Sequence, residues 1–256
     1  MSGRVDQVAE FESSGPAPVL VVCEHASNRF PEPFGTLGLD PALQDSHIAW
    51  DPGALALARD LAGRFEGGLI HATVSRLIFD LNRPPEAADA MPEVSEVHEI
   101  PGNRGLTVKD RLARVVAIHD PWHLALAEAV DRVNPVAMVT VHSFTPVYRG
   151  IPRETEIGIL HDSDSRLADA VLARAGQAGF DWHRNRPYGP EDGVTHTLRT
   201  VAQPRGILPV MIEVRNDLLT SPADIAAIGA ALHGVLAPAL ASLAGVPEAL
   251  GGKARA

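Results

Sequence analysis

The chain is 256 residues long, with hydrophobic residues at 45% and charged residues at 21%, which provides apolar material for a sizeable core and excludes a disordered or fibrous class. Its 22 Lys and Arg against 32 Asp and Glu leave a formal charge of -10, a field that repels nucleic-acid phosphates and anionic membranes. Cys23 is the only cysteine, so an intramolecular disulfide framework is excluded and a reducing compartment, the cytoplasm, is expected.

Residues 1–16 are polar and acidic, without the basic start and apolar core of a signal peptide, and read as a lead-in. One α/β domain is expected over 17–244, with a small-residue tail over 245–256. No apolar run is read as reaching the roughly 18 residues of a membrane span. Pro18 to Cys23 is a continuous apolar run, read as a buried strand that opens into Glu24-His25-Ala26-Ser27-Asn28. Asp51-Pro52 leads into a helix, Gly53 to Phe65. Leu69 to Leu81 is β-rich and reads as a strand ending at Asn82-Arg83, where Pro84-Pro85 forbid further pairing.

Glu86 to Thr107 is acidic and weakly periodic, a long loop suited to covering a substrate. A helix is expected from Val108 to Val133, with a break at Pro121. Val136 to Val141 reads as a strand delivering His142-Ser143, Glu156 to Leu160 as another, and Ser165 to Gly176 as a helix. A last strand, Gly206 to Val214, presents Glu213 and Arg215, and Ser221 caps an Ala-rich helix that runs to Ala241. This alternation predicts a mixed, mostly parallel sheet with helices on both faces, and polar residues at several strand ends predict one shared crevice.

Zinc hydrolases need neutral His and ionised carboxylate ligands with one position open for water. His25, Asp51 and His142 offer such a set from three element ends, although any single one of the 11 histidines could be an ordinary hydrogen-bonded ring. Asp51 could equally be the cap of the following helix; Glu24 competes with it as a ligand, and Asn28 does so weakly because a neutral amide is a poor zinc donor. Glu213 suits a general base, or else pairs with Arg215. Asn82 and Arg83 suit carboxylate recognition, or else form a solvated turn. Cys23 beside His25 reads as a buried, inert thiol rather than a nucleophile. No nucleophile elbow, phosphate loop or dinucleotide fingerprint occurs.

Taken together, Glu24-His25-Ala26-Ser27-Asn28, Trp50-Asp51, the stretch Ser75 to Pro84, Trp122-His123, Val141-His142-Ser143 and Ile212-Glu213-Val214 resemble the N-formylglutamate amidohydrolases. The resemblance runs from about Val19 to Leu219, and Ser75-Arg76 with Asp80-Leu81-Asn82-Arg83 is its most specific part. A more distant likeness ties Asp80 to Arg83, His142-Ser143-Phe144 and Glu213 to Asn216 to zinc carboxypeptidases and aspartoacylases. The resemblance implies a phosphorylase/hydrolase-like, zinc carboxypeptidase-like fold. It also implies His25 and His142 as zinc ligands, Asn82 and Arg83 on a substrate α-carboxylate, and Glu213 as base.

The chain departs from these groups in three places, one being that the Pro-His-Ser-Gly of the deformylases reads Glu24-His25-Ala26-Ser27 here. Asn28 stands where carboxypeptidases carry a zinc-binding Glu, and Asp51 stands where deformylases often have His, an exchange that favours a ligand there. The expected chemistry is hydrolysis of a small anionic N-acyl amino acid such as N-formylglutamate, with zinc and Glu213 activating water and Arg76 steadying the tetrahedral oxyanion. His123 is expected to line the pocket or to support a ligand. A deacylase or small metallopeptidase of other substrate, or a non-catalytic binding relative, are the alternatives.

Overall fold

The structure, a computed structural model, describes residues 5–244 apart from residue 177. The main sheet has seven strands: β1 (Ala9–Ser13), β2 (Val19–Cys23), β3 (Gly68–Ala72), β4 (Ala137–Phe144), β5 (Ile157–Leu160), β6 (Trp182–Arg184) and β7 (Leu208–Arg215). Their spatial order is β1-β3-β2-β4-β7-β5-β6. The four central strands β3, β2, β4 and β7 are mutually parallel; β1 and β5 run antiparallel to their neighbours β3 and β7, and β6 is parallel to β5. The mixed, mostly parallel sheet expected from the sequence is therefore present.

Buried parallel strands read as unbroken apolar runs because both faces are covered, and period-2 alternation splits their side chains between two cores. Val19, Val21 and Cys23 of β2, with Val139, Val141, Ile212 and Val214, pack beneath α1 (Ala54–Phe65), α4 (Arg166–Ala175) and α5 (Pro222–Ala244). Leu20, Val22, Ile70 and Met138 face the other way, against Trp122, Leu126 and Val130 of α3 (Asp120–Val133) and the buried run Leu77 to Phe79. Glu24, His142 and Glu213 belong to this second phase. It is therefore the alternation itself that aims them all at one face.

Several expectations need correction. The polar lead-in contains a strand: Ala9 to Ser13 pairs with β3 from Ala72 to Gly68, and an edge strand bearing exposed Glu10 and half-buried Glu12 has no apolar run to announce it. The tail, 245–256, lies outside the described residues. The strand expected over Leu69 to Leu81 stops at Ala72, and 73–81 is a buried connection whose backbone bonds elsewhere, as Ser75 N does with Arg29 O at 2.8 Å and Arg76 N with Ala49 O at 3.2 Å. Apolar content alone does not separate such a segment from a strand.

Pro121 does not break its helix. The missing donor is absorbed by a single π-helical turn, Val115–His119, between α2 (Val108–Arg114) and α3. The short strand β6 was not foreseen. The expected cap of the last helix is present, with Asp224 N donating to Ser221 Oγ at 3.2 Å and Ser221 N to Asp224 Oδ2 at 3.0 Å. That helix is long and apolar enough over Pro222–Leu243 to cross a membrane by length and composition, with mean hydropathy 1.7, contrary to the expectation of no such run. Its Ile228, Leu232, Leu236 and Leu240 are buried in the core beneath the sheet, the usual fate of an apolar core helix.

Candidate metal centre and active-site cleft

The centre sits where β2, β4 and β7 end, the position at which parallel sheets hold ligands. His25 follows β2, His142 lies within the last turns of β4, and Asp51 precedes α1. Gly53 makes the last placement: it adopts φ of +82°, and a Cβ there would stand 2.5 Å from Leu219 Cβ. Backbone and hydroxyl bonds stitch the three segments together, Asp51 N to His25 O at 2.9 Å and Ser143 Oγ to Pro52 O at 2.7 Å.

The ligand atoms form a triangle. His25 Nδ1 and His142 Nδ1 lie 3.2 and 3.0 Å from Asp51 Oδ2 and 3.1 Å from each other, and all three residues are buried. A tetrahedral ion with bonds of about 2.0–2.1 Å separates its donors by about 3.3–3.4 Å. The triangle is thus close to the face of such a site. Both rings turn their other nitrogen to a carboxylate, His25 Nε2 to Asp80 Oδ1 at 2.8 Å and His142 Nε2 to Glu24 Oε2 at 3.2 Å, the latter off the axis of a hydrogen bond. Such partners fix the tautomer that leaves Nδ1 free for a metal.

Charge points the same way. Four carboxylates, Glu24, Asp51, Asp80 and Glu213, are buried around the centre, and one guanidinium, Arg76, pairs with two of them, Asp51 and Asp80. Burial alone would raise the pKa of Asp51, but His25 and the hydrogen bond with His142 hold it far below the ordinary carboxylate range. Burial and Arg76 act to lower the pKa of His25, yet Asp80 and Asp51 carry it above its ordinary value. Burial likewise lowers His142 while Glu24 and Asp51 raise it well above normal. A centre that draws protons onto two buried histidines is one that a cation can occupy in their place. The residues present therefore fit a divalent metal.

Asp51 does not cap α1, which has no side-chain cap, so its carboxylate is committed to the histidines and Arg76. Glu24 stands behind His142 rather than among the ligand atoms. Asn28 is elsewhere, donating to Gln44 O and Asp45 Oδ1. Glu213 is buried with Oε2 unpartnered, and burial, with the Asp51 charge, pushes its pKa up to about 7 despite His142. Cys23 belongs to the opposite face, where burial raises its thiol far above the usual value.

The centre opens into a cleft of about 600 Å³. Arg76, Asn82, Arg83 and Glu213 all line it, as do Pro92, Val94 and Glu96 from the long acidic segment expected to cover a substrate. Arg76 bridges Asp51 Oδ1, at 3.2 Å, and Asp80 Oδ2. Asn82 is buried and spends its amide on the chain opposite, donating to Val194 O and accepting from Thr197 N. Arg83 is half-buried with Nε on Asp89 at 2.8 Å, so neither residue is part of a solvated turn.

His123 is not brought to the cleft. It lies on α3 in a ring cluster, its centroid 4.2 Å from that of His119 and 6.1 Å from that of His196. Sequence reasoning missed Asp80, Arg153 and Tyr188. Asp80 carried a readable signal, because a carboxylate between Phe79 and Leu81 in an apolar run must be paired to be buried.

Fold and centre together define an α/β protein with a carboxylate-rich, metal-competent crevice at the ends of its parallel strands. Residues 17–220 match the model of the N-formylglutamate amidohydrolase family, and the chain belongs to that family. It is similar to a crystal structure of an Agrobacterium tumefaciens gene product, with 50% identity and a TM-score of 0.90 over 95% of this chain and 97% of that one. An N-formylglutamate amidohydrolase from Ralstonia eutropha shares the fold at 21% identity and a TM-score of 0.62, over 92% of this chain and 99% of that one. A metallo-carboxypeptidase from Burkholderia cenocepacia aligns more distantly, with a TM-score of 0.38 at 13% identity over 94% of this chain and 67% of that one. No curated protein matches the chain.

Proposed function

We propose that the protein is a zinc-dependent amidohydrolase that cleaves a small N-acyl amino acid, N-formylglutamate being the substrate of choice, to the free amino acid and a carboxylate. The observation that carries this reading is the buried His25, Asp51 and His142 triangle with edges of 3.0–3.2 Å and Glu213 in the same cleft. When bound, zinc supplies a Lewis acid that polarises an acyl carbonyl and activates water.

The remaining work falls to side chains. Glu213, a buried carboxylate with Oε2 unpartnered, can take a proton from the attacking water and return it to the departing amine. Arg76 is held by two buried carboxylates at the cleft wall, where its free N–H groups favour charge developing on the acyl oxygen. Arg83, with Nε on Asp89, offers its remaining N–H edge to the amino acid's α-carboxylate. Asn82 keeps the 194–197 segment against the cleft and so positions Arg83 rather than meeting the substrate with its carbonyl.

An amine-release screen over N-formyl, N-acetyl and larger N-acyl amino acids tests the reading. The metal-replete protein should cleave N-formyl amino acids, N-formylglutamate fastest, and should lose activity to a chelator and regain it with zinc. Absence of amine release from every N-acyl amino acid would refute it.

A further inference from the structure

Most arginines of the cleft have their charge answered. Arg76 is paired with Asp51 and Asp80, Arg83 with Asp89, and Arg149 is exposed to water at a hairpin tip. Arg153 differs. It is half-buried on the cleft wall, and among the described residues no carboxylate lies within ion-pair range of it.

Three aromatic rings hold it instead, its guanidinium carbon standing 5.4 Å from the ring centroid of Phe144, 4.6 Å from Tyr148 and 4.9 Å from Tyr188. Stacked rings fix the plane of a guanidinium without neutralising it. One N–H donates to the Tyr188 hydroxyl at 2.9 Å and another reaches Thr145 O at 3.4 Å, which leaves the others of its five donors free. Tyr188, accepting from Arg153, keeps its own proton to donate.

The position of this pair matters. Phe144 lies on the same strand face as His142, two residues further on, a step of roughly 6–7 Å. Tyr188 also lies within electrostatic range of Glu213 and Arg76. A preorganised, uncompensated cation thus lines the same cleft as the metal triangle, on a different segment from Arg83.

We propose that Arg153 and Tyr188 form a second anion subsite that takes the side-chain carboxylate of an acidic N-acyl amino acid, making the enzyme select such substrates over neutral ones. This rests on the amidohydrolase reading above.

The test compares N-formylglutamate with N-formylglutamine, its neutral isostere, in the metal-replete wild type, Arg153→Gln and Arg153→Lys. The ratio of kcat/KM for the two substrates should fall roughly 10–100-fold in Arg153→Gln, the worth of charge-assisted hydrogen bonds, mainly through KM for the acid. Arg153→Lys should recover part of it. An unchanged ratio, whether both substrates suffer equally or neither does, would overturn the subsite. Binding of glutarate, which needs no turnover, separates the two proposals: if the wild type releases amine from no N-acyl amino acid, the amidohydrolase reading has failed. Arg153 then stands if glutarate affinity falls at least tenfold in Arg153→Gln with melting temperature unchanged, and falls with the reading if affinity is the same.

Discussion

Glu213 lies directly beside His142, paired in register on two adjacent parallel strands. Side chains at paired positions of parallel strands leave the sheet on the same face, so one backbone relationship sets the distance from the candidate base to a candidate ligand. Shifting β7 by one residue would bury Ile212 or Val214 in the centre and send the Glu213 carboxylate into the opposite core.

Glu213→Gln keeps the shape and removes the proton acceptor. Turnover should drop roughly 10²–10⁴-fold, while metal content, measured by atomic emission, stays at the wild-type level. The acid limb of the kcat/KM profile should rise as Glu213 ionises. Burial places that event near pH 7 in the metal-free centre, and a bound cation favours the carboxylate and moves it lower. Loss of metal from this variant would make Glu213 a ligand instead.

Substituting Ala for His25, Asp51 or His142 should abolish stoichiometric zinc binding, because each removes one corner of the triangle. Glu24→Gln should retain binding with affinity weakened roughly 10–100-fold, the usual effect of losing an orienting partner. The opposite ranking of Asp51 and Glu24, read by competition with a chromophoric chelator, would exchange their roles.

Arg83→Lys keeps the charge and loses the planar fork. With N-formylglutamate it should cost about 10–100-fold in kcat/KM, and the penalty should shrink when the α-carboxylate is amidated. Equal losses on both substrates would mark Arg83 as a structural partner of Asp89.

Cys23 should resist alkylation by iodoacetamide in the native protein at pH 8 and react in denaturant. Its thiol is wholly buried and held in the protonated form by that burial. Rapid native labelling would contradict the packing of β2.

His123 should make the protein acid-sensitive. Burial, aided by His119 and His196, pushes its pKa down to about 4, below the ordinary value near 6.5. The unfolded chain therefore binds a proton between about pH 6.5 and 4 that the folded chain refuses, and stability contributed by the neutral ring is lost as pH falls through that window. Between pH 7 and 5 the chelated wild type should lose about 1–2 kcal/mol more than His123→Leu in urea unfolding. Identical losses would exclude this ring as the source.

Much of the site could be read from the sequence because unbroken apolar runs end in polar residues at Glu24, His142 and Glu213, and a parallel sheet gathers such ends at one edge. Asp51 could be placed at a helix entry, but not told apart from a cap, since that choice depends on where the carboxylate points. The apolar stretch after Ala72 hid the path of the segment that carries Asp80, because a buried loop and a buried strand have the same composition. Arg153 and Tyr188 left no trace: they meet across 35 residues, and nothing local in either segment foretells the other. His123 shared a motif with Trp122, yet α3 turns it toward His119 and His196.

The ligand triangle is drawn from segments 26 and 91 residues apart, so no donor set exists before the sheet has closed. Occupancy and folding are then one equilibrium: an ion that binds the native chain alone adds RT ln(1 + [M]/Kd) to its stability, about 2.7 kcal/mol at a hundredfold excess over Kd. On the proposed metal-dependent reading, a shortage of the ion during synthesis would therefore lower the protein's resistance to proteolysis as well as its activity.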